Sequence, residues 1–76
     1  MTRAYVLINT DVGKAGGVVE ALRKLPGMTM ADVVTGAYDV VATLEGSDTN
    51  AIGRLVLQQI HGMVGLRATM TLVAVG

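Results

Sequence analysis

A chain of 76 residues is long enough for one small domain only, and without cysteine it can neither form disulfides nor hold a thiolate metal site. Its six basic and six acidic side chains balance, so no strong field draws it onto nucleic acid or an anionic membrane. Charged residues interrupt every apolar run before the ~20 residues of a membrane span, and the first residues do not resemble a signal peptide. We therefore expect a cytoplasmic protein that binds neither DNA directly nor a membrane.

The first part of the chain predicts a strand followed by a helix. Residues 3–9 have the apolar, β-branched and aromatic content of a strand. Apolar residues then recur at steps of three and four, which indicates an amphipathic helix with a stripe formed by Ala15, Val18, Leu22 and Leu25. Pro26 and Gly27 end this helix, and Asp11 is a candidate N-cap although the glycines of the first turn weaken the helix start.

Two Val-rich runs, residues 30–34 and 40–44, predict a β-hairpin. In the connection between them Gly36 supplies the backbone freedom for the reversal, and Tyr38 and Asp39 add a phenol and a carboxylate. Unpaired backbone N–H groups beside these side chains suit a small polar ligand. The alternative is that these residues serve the fold only. Gly36 then turns the chain, Tyr38 covers the core, and Asp39 accepts hydrogen bonds from nearby backbone amides.

The second part of the chain repeats the pattern of the first. After the strand at residues 40–45, Ser47 or Asp48 is a good N-cap, and Gly62 ends a second helix. The apolar stripe of that helix consists of Ile52, Leu55, Val56 and Ile60. The last strand covers residues 66–75. The order βαββαβ predicts an α+β, ferredoxin-like fold in which two helices cover one face of a four-stranded antiparallel sheet.

The first strand is apolar on both of its faces. Tyr5 and Leu7 lie on one face, and Ala4, Val6 and Ile8 lie on the other, where a half-exposed strand would alternate with polar residues. Because the helices cover one face of the sheet, we expect the same face of another copy to cover the second. The sequence leaves open which of the two sets faces the partner.

Three motifs resemble the effector domain of the Lrp/AsnC family of feast/famine transcriptional regulators. The stretch V-V-T-G-A-Y-D-V-V at residues 33–41 is similar to the G-x-Y-D hairpin of that domain. The phrases L-P-G-M at 25–28 and I-H-G-M at 60–63, and the run at 67–71 with its T-x-T ending, are also similar. The order and spacing of these motifs make residues 1–76 resemble a single ligand-binding (RAM) domain of the dimeric α+β barrel type.

The resemblance implies a homodimer that pairs through its sheets and assembles into a higher-order ring, an octamer or decamer, with an amino acid effector bound between dimers. It implies a ligand-binding set of Gly36, Ala37, Tyr38, Asp39, Thr69 and Thr71. Backbone N–H groups near Gly36 would hold a carboxylate, and Asp39 would accept from an ammonium group. The absence of other acids near the hairpin disfavours lysine or arginine as the effector.

Full-length members of the family carry an N-terminal helix-turn-helix domain, and here the first strand begins almost at Met1. We therefore expect no DNA-reading domain in this chain. The expected function is amino acid sensing, either alone or by co-assembly with a full-length Lrp/AsnC regulator that modulates transcription. No cofactor or metal is expected.

Two other classes stay open. An ACT-type regulatory domain shares the βαββαβ order but binds its amino acid at the loop between the first strand and first helix, here residues 10–14. A small dimeric α+β barrel enzyme is the second alternative. However, the single histidine, His61, is interpreted as a helix C-terminal cap, and the single serine, Ser47, as an N-cap. We therefore assign no catalytic residues and expect no enzymatic activity.

Overall fold

The computed structural model describes residues 1–75, and its elements follow the predicted βαββαβ order. They are β1 (Thr2–Thr10), α1 (Ala15–Arg23), β2 (Met28–Val33), β3 (Val40–Gly46), α2 (Thr49–Leu55) and β4 (Leu66–Val73), with a π-helical turn over Val56–Ile60 continuing α2. The four strands form one sheet in the order β2-β3-β1-β4, and every neighbouring pair is antiparallel. The ferredoxin-like fold is thereby confirmed.

The core lies between the sheet and the two helices. Alternate residues of the central strand β1 are completely buried: Ala4, Val6 and Ile8. The predicted helix stripes pack against them and contribute Val18, Leu22, Ile52, Val56 and Ile60 to the same cluster. Each fully buried aliphatic side chain contributes about 1.5–3 kcal/mol, so this layer supplies the main stabilisation of the single chain.

The opposite side of the sheet is the open face, which we define as Tyr5, Leu7, Met30, Val41, Thr43, Met70 and Leu72. Each of these residues is paired across the strands, directly or through a neighbouring strand, with Tyr5 or Leu7. Paired residues point to the same face and side chains alternate along a strand, so this set points away from the helices. Tyr5 keeps 39% of its surface exposed, Leu72 47% and Met70 49%. The structure therefore places Tyr5 and Leu7 on the uncovered face and Val6 and Ile8 in the core.

An ion pair closes one end of the open face. The Arg3 guanidinium donates to Glu45 Oε2 at 3.0 Å across the β1–β3 pair. This hydrogen bond raises the pKa of Arg3 and places an ion pair at the edge of the open face.

The helix starts differ in how they are capped. The Asp48 carboxylate accepts from the Ala51 backbone N–H at 2.8 Å, which confirms it as the N-cap of α2. The prediction that Asp11 caps α1 is wrong, because the N-cap position is Lys14 and no side chain caps it. A turn through Gly13, at φ +77°, separates Asp11 from the helix, and only the Asp11 carbonyl contacts Lys14 N–H, at 3.0 Å.

Within residues 1–75, no helix has the length and apolar character needed to cross a membrane.

Substituting one residue on each face of the sheet tests this assignment. Val6 is 0% exposed, so Val6→Asp buries an unpaired charge at a cost of several kcal/mol. A 76-residue chain has only ~4–11 kcal/mol of stability. We expect Val6→Asp to abolish the folded far-UV circular dichroism spectrum and Leu72→Asp to retain it. A folded Val6→Asp protein would contradict the assignment.

Candidate functional site

The hairpin connection between β2 and β3 is an exposed loop with one unusual backbone position. The Val34 N–H donates to the Asp39 carbonyl at 2.9 Å and closes the loop. Gly36 has φ +140°, a conformation that side-chain-bearing residues rarely adopt, so the predicted need for glycine at the reversal is confirmed. Gly36 and Ala37 are exposed, which leaves their backbone groups accessible to a ligand.

Asp39 fastens this hairpin to the end of β1. Its backbone N–H donates to the Ile8 carbonyl at 2.9 Å. Its carboxylate accepts from the Thr10 backbone N–H at 2.8 Å and lies 3.4 Å from the Thr10 hydroxyl. These contacts occur where the β1–β4 register shifts between Asn9 and Thr10. Asp39 therefore satisfies a local amide, and any contact with a ligand adds to that structural role.

Tyr38 reaches across the open face. Its hydroxyl donates to Met70 Sδ at 3.8 Å, and Met70 pairs with Leu7 in the same row of that face. The alternative hypothesis was that Tyr38 covers the core. The structure instead places its hydroxyl on the side of the sheet opposite to the core.

Thr69 and Thr71 lie on the helix side of the edge strand β4. They pair with Ile8 and Val6, whose side chains are in the core. Thr69 Oγ1 lies 3.2 Å from His61 Nε2. Thr71 borders the β4 groove, an open groove of about 210 Å³ between β4 and the α2 segment, whose apolar lining is Ile52, Val56, Leu57 and Val73.

The six predicted site residues consequently form two groups. The Tyr38 hydroxyl and the two threonine side chains lie on opposite faces of one sheet. Within one chain the structure therefore does not bring the Tyr38 hydroxyl and the threonine hydroxyls to one surface. The sequence pattern did not indicate the groove, because its lining combines Ile52 and Val56 of the predicted stripe with residues of β4 that are distant in sequence. Leu57 is an apolar residue outside that stripe, and its presence was the feature of the sequence that could have indicated an exposed apolar surface here.

A second concave surface, the β1–α1 cleft, has a volume of about 550 Å³. Its lining includes Thr10, Gly13, Gly16, Asp39 and Arg67. The Arg67 side chain lies 4.0 Å from the Asp11 carboxylate, so both signs of charge are present. This is the position in which the ACT-type alternative places its ligand. In the described residues, no cluster of three or more His, Cys, Asp or Glu side chains is positioned to hold a metal ion.

Comparison with known proteins gives a consistent result. The family model of the Lrp/AsnC ligand binding domain matches residues 3–76. An uncharacterized HTH-type transcriptional regulator of Pyrococcus abyssi is 32% identical over 68 residues, which are 90% of this chain and 43% of the regulator. The chain therefore spans less than half the length of that relative.

Solved structures agree with this match. The crystal structure of TTHA0845 from Thermus thermophilus has a TM-score of 0.94 and 33% identity, covering 100% of this chain and 95% of that one. The L-Met complex of transcriptional regulator NMB0573 from Neisseria meningitidis has a TM-score of 0.86, covering 99% of this chain and 50% of that one. Its identity is 18%, so this likeness shows the fold alone.

Removing the Asp39 carboxylate tests its fastening role. Asp39→Ala leaves the Thr10 amide without its partner, and we expect a loss of about 1–3 kcal/mol in the free energy of unfolding measured by urea titration. The control is Asp32→Ala, which breaks an exposed ion pair with Arg23 and should cost about 0–1 kcal/mol. Equal losses in the two variants would contradict the role of Asp39.

Proposed function

Because this chain belongs to the family of Lrp/AsnC ligand-binding domains, we propose that residues 1–76 form one domain that senses a free amino acid. The observation that carries the proposal is the family match over residues 3–76. The Neisseria regulator of the same fold, crystallised as an L-Met complex, supports an amino acid as the ligand class. The homologues are transcriptional regulators, which favours a regulatory function over catalysis.

We assign the polar part of the ligand to the hairpin. The exposed backbone around Gly36 and Ala37 offers N–H groups to a carboxylate. Asp39 faces an ammonium group, since a carboxylate has about four acceptor positions and the contacts to Thr10 do not use all of them. Thr69 and Thr71 from another chain complete the site with their hydroxyls.

The open face supports the proposed homodimer. Its large apolar side chains are 39–49% exposed at Tyr5, Met70 and Leu72, and they adjoin one another on neighbouring strands. An apolar patch of this kind is uncommon on soluble monomers. Packing two such faces about a two-fold axis removes it from water. Further association of dimers into an octameric or decameric ring would bring the hairpin of one dimer to the threonines of another. Co-assembly with a full-length family regulator would link the ligand to transcription.

The β1–α1 cleft favours an ACT-type site as the second candidate, because it combines Arg67 with the Asp11 and Asp39 carboxylates. The ligand class is then the same, but the location differs. Gly13→Val would weaken binding at that cleft, where Gly13 has φ +77°, and Gly36→Val would weaken binding at the hairpin.

A thermal-shift screen of the twenty amino acids tests the function. A ligand at a hundredfold excess over Kd stabilises the fold by about 2.7 kcal/mol, which raises Tm by roughly 10–20 °C in a domain of this size. We expect Thr71→Val, which keeps the side-chain shape, to reduce the shift, and Thr2→Val at the far end of β1 to leave it unchanged. Absence of any shift at millimolar ligand would contradict the proposal.

Native mass spectrometry tests the assembly. We expect the wild-type chain to be at least dimeric at micromolar concentration and Leu72→Asp to be monomeric, because two introduced carboxylates would meet in a dry interface. The control is Val64→Asp, at an apolar residue that is 88% exposed and lies outside the open face. A monomeric wild type, or equal effects of both substitutions, would contradict pairing through the open face.

A further inference from the structure

Tyr38 is a predicted site residue whose polar group the proposed ligand site leaves unused. The residues around it in the hairpin supply the groups assigned to the ligand. The Tyr38 hydroxyl instead donates to Met70 Sδ on the open face, at 3.8 Å. Tyr38 is half-buried, although Gly36 and Ala37 before it are exposed. Its side chain therefore joins the hairpin to the surface through which the proposed dimer forms.

The other attachment of the hairpin is at Asp39. The Asp39 N–H donates to the Ile8 carbonyl at 2.9 Å, and the Asp39 carbonyl accepts from the Val34 N–H at 2.9 Å. Between these bonded residues the chain is exposed and passes through Gly36 at φ +140°. The Tyr38 side chain is thus a second attachment of the loop, on the side of the sheet away from the helices.

The contact between Tyr38 and Met70 is weak in the single chain. A thioether sulfur is a weak hydrogen-bond acceptor, and methionine has three rotatable side-chain bonds. Met70 is 49% exposed, so its side chain is free to change rotamer and water competes for the Tyr38 hydroxyl. The contact therefore restrains the loop little while the open face is in water.

A second copy of this chain is the occupant that fits the open face. Arg3 and Glu45 neutralise each other within the chain through a 3.0 Å ion pair, so two facing copies bring no unpaired charge to that end. Met70 pairs with Leu7 in the apolar part of the face, where a second copy would bury it. Burial removes the competing water and restricts the methionine side chain. The hydroxyl then keeps its sulfur partner, because a buried polar group without a partner is costly.

We propose that Tyr38 is a positioning residue that couples the conformation of the ligand-binding hairpin to dimer formation. This inference rests on the proposed function. When a second copy covers Met70, the Tyr38 hydroxyl is held and the backbone of Gly36 and Ala37 takes one conformation. In the single chain the loop samples several conformations. A ligand that requires the fixed loop binds the dimer more tightly, and it favours dimer formation by the same factor.

Amide hydrogen exchange, followed residue by residue with NMR spectroscopy, tests the coupling without any ligand. The Val34 N–H is the reporter because its bond closes the hairpin. The Glu45 N–H, which donates to the Gly27 carbonyl at 2.9 Å near the far end of β3, is the reference. We expect exchange of the Val34 N–H, relative to the Glu45 N–H, to be about tenfold faster in the Leu72→Asp monomer than in the wild-type dimer, because the loop opens locally.

Removing one hydroxyl tests whether Tyr38 carries the coupling. Tyr38→Phe should speed exchange of the Val34 N–H about threefold in the dimer and leave it unchanged in the Leu72→Asp background, where the contact does not hold the loop. A purely structural role would change both backgrounds equally. Tyr5→Phe removes the other tyrosine hydroxyl of the open face and is the matched control, which should leave the Val34 N–H unchanged in both backgrounds.

The contradicting outcomes are distinct. Equal relative exchange of the Val34 N–H in the dimer and the monomer would overturn this inference and leave amino acid binding intact, as would equal effects of Tyr38→Phe in both backgrounds. Dissociation of the Tyr38→Phe dimer in native mass spectrometry would show that the hydroxyl holds the two chains together, and it would overturn the positioning role. Failure of the proposed function is measured separately, as the absence of a thermal shift with any of the twenty amino acids.

Discussion

The alternation of side chains across the sheet determines which residues of this chain can meet. In β1 it sends Val6 and Ile8 to the helices and Tyr5 and Leu7 to the open face. Through the β1–β4 register it sends the threonines of β4 to the helix side and Met70 to the side where Tyr38 lies. Tyr38 and the threonines therefore lie on opposite sides of the sheet in one chain, and we propose that a second chain brings the hairpin and the threonines to one ligand.

The proposed shared site would link ligand binding to assembly. If one ligand contacts two chains, it binds the assembled form more tightly, and assembly in turn raises the affinity for the ligand by the same factor. A domain of this size also has little core to spare, since it buries only about 60% of the surface of its unfolded chain. Covering the open face in the proposed dimer would stabilise the fold, and further association of the dimers would create the proposed shared site.

Local sequence rules predicted the elements that depend on local physics. Asp48 is an N-cap, Gly36 occupies a positive-φ reversal, and the helix stripes with Ile52 and Leu22 form the core, each at its predicted position. The prediction failed for Asp11, because a glycine turn separates it from the helix. The His61–Thr69 contact depends on the π turn and on the register of β4, which the pattern of apolar residues does not indicate, and Leu57 alone pointed to the groove.

A subunit-mixing experiment tests the central claim that one site takes residues from two chains. Gly36→Val and Thr71→Val each impair one half of the site, and the two proteins are dissociated, mixed and reassembled before calorimetry with L-methionine. In an equal mixture, half of the hairpins and half of the β4 strands are intact. Random mixing in a symmetric assembly therefore gives roughly a quarter of the sites both intact parts, and we expect those sites to bind with wild-type affinity. A mixture that binds no better than either parent would contradict a shared site.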